Sequence, residues 1–152
     1  MHRRKRSKGH HWRYVGQILL FALVKMALWA VLELPPVWAT TQLASIETSL
    51  QTCLENHPGT SSETHCYRNN AGALEREIQR LYFLLGGDQN RALQQNQQVW
   101  QNYVSAEQFF FEFAYYVPGS QSQWLKARSN YLLFHSRAVA LQSYLDFAEA
   151  HR

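Results

Sequence analysis

From Thr41 to Glu55 the apolar residues Leu43, Ile46, Leu50, Cys53 and Leu54 recur at steps of three and four, which predicts a short amphipathic helix. Asn56, Pro58 and Gly59 stop it. Thr60-Ser-Ser-Glu63 has the T-x-x-E spacing of a capping box, in which hydroxyl and carboxylate each satisfy a free amide, so a second helix is expected from about Ser61. Its apolar side holds Ala71, Leu74, Ile78, Leu81, Tyr82 and Leu85, with Glu75, Arg76, Glu77 and Arg80 elsewhere. Gly86-Gly87 end it, and Asp88 is placed to cap a third helix. That helix shows Leu93, Trp100, Tyr103, Val104, Glu107, Phe111 and Ala114 along one stripe, and its Gln- and Asn-rich first turns read as a solvated face. Pro118-Gly119 break the chain, and Ser120-Gln-Ser-Gln123 repeats the capping spacing. A last helix then carries Trp124, Ala127, Tyr131, Phe134, Ala138, Leu141, Leu145 and Ala148 as a continuous packing seam.

No useful length of β alternation occurs, so the fold expected is all-α, a small antiparallel bundle of about four helices. The stretch from Cys66 to Phe113 is expected to organise it, as two helices folded back on each other at Gly86-Gly87. Trp100 and Tyr103 are expected to face Ile78 and Tyr82 across this hairpin in an aromatic core. Gln79 and Gln97 are expected to make interhelical hydrogen bonds, and Arg137 to pair with Glu107 or Glu75. The stretch from Phe109 to Val117, FFFEFAYYV, is apolar nearly all round. Such a segment belongs either in a core or against a partner, and the rings of Phe109, Phe110, Phe113, Tyr115 and Tyr116 exceed what one face can bury.

Charge changes the picture at the N-terminus. The 152-residue chain carries +4, but residues 1–39 hold Arg3, Arg4, Lys5, Arg6, Lys8, Arg13 and Lys25 against Glu33 alone; their +6 leaves −2 for residues 40–152. The basic charge is therefore that of a terminus, and nucleic acid is not the expected partner. A basic segment, an apolar run from Tyr14 to Leu32, Pro35-Pro36 and Val37-Trp38-Ala39 have the layout of an export signal cut after Ala39. The alternative is a retained anchor over residues 14–34; Lys25 at its centre would cost roughly 2.5–3.5 kcal/mol in a bilayer. On either reading residues 1–39 are a signal peptide or anchor, and residues 40–152 form the exported domain, in the periplasm or cell envelope. The two cysteines, Cys53 and Cys66, both lie in that exported part and are expected to form one disulfide.

No chemistry-bearing motif is present. His57, His65 and His135 have no zinc-ligand spacing, Glu75 and Glu77 diverge around their helix, and neither a nucleophile elbow nor a phosphate loop occurs. A non-enzymatic domain without metal or cofactor is expected.

The pattern from Leu50 to Leu141 resembles a family of small exported helical domains named after the lysozyme inhibitor LprI. Cys53 and Cys66 stand where that family has two cysteines around a turn. Glu75-x-x-Ile78-Gln79-x-x-Tyr82 is similar to its D-x-x-L-N-x-x-Y, Leu93-x-x-x-Gln97-x-x-Trp100-x-x-Tyr103 to its L-x-x-x-Q-x-x-W-x-x-[YF], and Arg137-x-x-x-Leu141 to its closing helix. The family's following R-D-x-x-C is Val104-Ser105-Ala106-Glu107-Gln108 here, and a further cysteine corresponds to Ser129, so one bridge fewer is implied. The resemblance implies a protein-binding domain that inhibits a lysozyme-type muramidase by occlusion. The alternative is an envelope structural or accessory protein, in contact with the membrane through residues 14–34 or through FFFEFAYYV.

Overall fold

The computed structural model describes residues 42–151. The basic segment, the apolar run and the expected cut after Ala39 lie outside them. The chain divides into two units between Ala39 and Thr40, and everything below concerns the second. It holds α1 (Gln42–Asn56), α2 (Thr60–Leu84), a 3₁₀ turn (Gly87–Gln89), α3 (Arg91–Ala114) and α4 (Ser120–Ala150), with no strand among the described residues. The fold is an all-α bundle.

Helix boundaries follow the breakers, but the caps differ from expectation. Gly59, not Thr60, precedes α2; the Gly59 N–H donates to Glu63 Oε1 at 3.2 Å, and no side chain caps the first turn. Only the carboxylate half of the box forms, because Thr60 is already inside the helix. Glu63 Oε2 instead accepts from Trp124 Nε1 at 2.8 Å, tying α2 to α4. Ser120 is likewise the first residue of α4 rather than its cap, and Gln123 accepts from Arg68 of α2. Between α2 and α3, Gly86 and Gly87 take φ of 108° and 51°, a left-handed pair that suits glycine. The 3₁₀ turn that follows moves the start of α3 beyond Asp88, so Asn90 is the cap, its Oδ1 accepting the Leu93 N–H at 3.2 Å. Asp88 accepts the Tyr82 hydroxyl at 2.7 Å, which holds that phenol above its ordinary value.

The core is built on α2 and α4, which make the most extensive packing in the bundle. They run parallel. Glu63 meets Trp124 near their N-termini, and Tyr67 packs on both Trp124 and Tyr131 at 6.2 and 5.8 Å between ring centres. Leu74, Ile78, Leu81, Ala138 and Leu141 are shut off from solvent, and α1 adds Leu43, Ile46 and Leu50. The seam predicted for α4 lies inward: Ala127, Tyr131, Ala138, Leu141 and Leu145 are buried, and Trp124, Phe134 and Ala148 are half-buried. Burial raises the Tyr131 phenol, with the Glu47 carboxylate adding to it.

The expected α2–α3 hairpin is not the organising pair. Its helices do run antiparallel, but α3 approaches α4 more closely than α2. Interaxial distance follows contact side chains. Ala127 and Ala138 let α4 come close to α2, whereas α3 presents the bulkier Gln97 and Trp100.

Cys53 and Cys66 form the disulfide, with Cα atoms 5.8 Å apart across a separation of 13 residues, and it clamps the α1–α2 corner. Such a bond is compatible with an oxidising compartment. Glu77, expected off the apolar side, is buried at 2% exposure, and its carboxylate accepts Arg80 Nε and Nη2 at 2.7 Å each. The cation sits three residues on and reaches solvent, so the acid enters the core already neutralised.

Candidate interaction surface

Helix α3 carries two apolar stripes, and the bundle uses one. The inner stripe is Leu93, Gln97, Trp100, Val104, Phe111 and Tyr115, all buried or half-buried. The outer stripe is Val99, Tyr103, Ala106, Phe110 and Phe113, at successive steps of four, three, four and three, and every member is exposed. Phe109 on the helix, and Tyr116 and Val117 just past its end, are exposed as well.

On the inner side, Arg137 of α4 is buried and donates from Nε and Nη2 to Gln97 Oε1 at 3.2 and 2.7 Å. Its guanidinium lies over the Trp100 ring, 5.5 Å from the centre. The partner expected for Arg137 was Glu107 or Glu75; a neutral amide on α3 takes that place. Burial pulls the guanidinium below its ordinary value, opposed by Tyr144. Gln97 thus makes the interhelical bond expected of it, while its Nε2 has no partner. Gln79 makes no such bond and is exposed. It borders a shallow polar cleft between α2 and α3, shared with Tyr82, Asp88 and Gln97, whose one carboxylate is occupied by the Tyr82 hydroxyl.

Trp100 packs on Phe134 of α4, with ring centres 5.9 Å apart, rather than on Ile78 and Tyr82. It is half-buried, so Trp100→Ala is expected to cost about 2 kcal/mol, less than full core truncation, part of it the cation–π contact with Arg137. Urea unfolding measures this, and a loss below about 0.5 kcal/mol would show that the ring holds nothing together.

Tyr103 corrects the sequence reading. It is 51% exposed and lies on the outer stripe, where the Glu107 carboxylate holds its phenol above the ordinary value. Ala114, also assigned inward, is exposed. The motif residues therefore separate: Ile78, Tyr82, Gln97 and Arg137 are buried, Leu93 and Trp100 are half-buried, and Gln79 and Tyr103 face solvent.

The aromatic stretch separates too. Phe111 enters the core, and Tyr115, expected among the exposed rings, stacks beside it at 5.5 Å and accepts the Ser129 hydroxyl at 2.9 Å. Phe109, Phe110, Phe113 and Tyr116 remain outside at 69, 60, 66 and 90% exposure. Phe109 and Phe113 pack edge-to-face on each other at 5.1 Å, one turn apart. No charged residue stands on the outer stripe. Of the three charges in α3, Arg91 is at its start, Glu107 lies to one side, and Glu112 is paired with Lys126 of α4. Val99 was missed as a surface residue, although its spacing with Tyr103, Ala106 and Phe110 is plain in the sequence.

Among the described residues no group of three His, Cys, Asp or Glu side chains is placed to hold a metal ion, and no helix is long and apolar enough to cross a membrane. The chain matches no protein-family model, no curated protein and no solved structure.

Proposed function

We propose that this chain is an exported, non-enzymatic protein-binding domain, in its most specific form an inhibitor of a lysozyme-type muramidase. The observation that carries the binding reading is the uncharged aromatic face of α3. Monomeric proteins seldom leave a continuous apolar patch of this extent in water, and one made of aromatic rings is what protein interfaces use. The muramidase reading is supported by the motif resemblance and acts by occlusion, with no bond made or broken. Export is supported by the basic and apolar N-terminal segments and is compatible with the disulfide.

The test starts from protein recovered outside the cytoplasm. Its intact mass is expected to correspond to a chain beginning at Thr40, and at micromolar excess it is expected to slow the lysis of cell walls by a muramidase. Unchanged lysis would dispose of the inhibitor. A mass that retains Met1 would replace the cleaved signal by the anchor over residues 14–34.

A further inference from the structure

We infer that the outer face of α3 pairs with the same face of a second copy of this chain, making the protein a two-fold symmetric dimer. The inference rests on reading that face as a protein-contact surface, and names its occupant.

Three observations select a second copy. The first is period: Val99, Tyr103, Ala106, Phe110 and Phe113 follow the alternating four-and-three steps by which one helix presents a straight seam to another. The seam is distinct from the stripe that holds α3 to its own bundle, so pairing leaves the fold intact.

The second is area. With about 200 Å² for each aromatic side chain, the exposed fractions of Tyr103, Phe109, Phe110, Phe113 and Tyr116 amount to about 670 Å². Val99 and Val117 bring the apolar area exposed on and just past α3 close to the ~800 Å² that each partner buries in a standard interface.

The third is charge. A lipid-surface helix flanks its apolar face with Lys and Arg, but α3 has no Lys, and its single Arg91 stands against Glu107 and Glu112. A basic partner would call for acids across the face, and the one that touches it, Glu107 beside Tyr103, stands at its edge. What suits a face without charge is another such face, and interfaces between identical chains are the more apolar class, depleted of charge at their centre. Two-fold symmetry requires one self-complementary patch. Small Ala106 at mid-seam lets the two backbones approach, with the rings on either side. A muramidase would then be met by another surface of the domain.

The experiment uses the full chain, produced with two different affinity tags in one cell and extracted in mild detergent. Capture of one tag is expected to bring the other with it, and sedimentation is expected to give twice the monomer mass. Phe110→Glu places a carboxylate mid-seam and is expected to weaken pairing at least about a hundredfold. Phe83→Glu, at an exposed ring near the end of α2, is expected to leave pairing unchanged. Tyr103→Ala is a second, uncharged variant, expected to weaken pairing with the helical circular dichroism and the melting temperature retained. A monomer at all concentrations up to about 100 μM, or a dimer indifferent to both α3 variants, overturns the inference. So does binding to vesicles of neutral and anionic lipid that Phe110→Glu abolishes while the protein sediments as a monomer. Muramidase assays on the same preparations keep the two readings apart: a monomer that inhibits overturns pairing alone, and a dimer that does not inhibit overturns the inhibitor alone.

Discussion

Gln97→Leu is expected to destabilise the domain by about 3 kcal/mol, although the new side chain is apolar and enters a buried site. The reason lies across the helix interface. Arg137 is 8% exposed as a residue, and its guanidinium places two N–H groups on the single Oε1 of Gln97. Leucine removes that acceptor and leaves a partly desolvated cation against Trp100, and hydrogen bonds to charged groups are worth about 1.5–3 kcal/mol before the cost of the unpaired charge is added. Gln97→Glu is the informative companion. It offers Arg137 a carboxylate and removes the amide nitrogen that has no partner, so a gain of about 1 kcal/mol is expected at neutral pH. Pairing with Arg137 would lower the new carboxyl's folded pKa below its unfolded value. The gain is therefore present above the unfolded value, near 4.3, and is lost as pH falls through the folded one. Urea titrations of the three proteins at two pH values read both effects. A Gln97→Leu cost below about 1 kcal/mol would mean that Arg137 escapes to water.

Opening the disulfide is expected to cost about as much. Replacing Cys53 and Cys66 together by serine frees a 13-residue separation in the unfolded chain, a loss of about 3 kcal/mol in loop entropy. Against a total of about 5–15 kcal/mol this moves the urea midpoint far. The damage should begin at α1, which is held by Leu43, Ile46 and Leu50, by the disulfide, and by Glu47 beside His135 of α4. Hydrogen exchange is expected to show α1 amides losing protection before those around Leu74 and Ile78. Unchanged urea midpoints with and without reductant would show that the corner holds without its bond.

Spacing alone made most of the helices legible, because Pro58-Gly59, Gly86-Gly87 and Pro118-Gly119 stop the backbone wherever they fall. The inward seam of α4 was legible for the same reason: a single three-and-four repeat leaves one choice of face. On α3 the repeat occurs twice. Trp100 and Tyr103, three residues apart, can be placed on one stripe, yet they belong to two, and periodicity does not say which of two greasy faces meets the bundle. Partner choice was equally hidden. Charge alone pairs Arg137 with an acid, whereas packing sets it over Trp100 with Gln97 as its acceptor. Charge alone places Glu77 outside, but Arg80, one turn away, neutralises it inside the core. Asp88 lost the cap to Asn90 because an extra 3₁₀ turn moved the start of the helix by two residues.

The parallel run of α2 beside α4 bears on the order in which the molecule can assemble. Glu63 and Trp124 are 61 residues apart in the chain, so the centre of the protein forms only after a long loop has closed. Ribosomes make α4 after α1, α2 and α3. Until it emerges, Leu74, Ile78 and Leu81 lack the Ala138 and Leu141 of their cluster, and a nascent chain ending before Ala138 carries an open greasy flank that a holding chaperone is suited to cover.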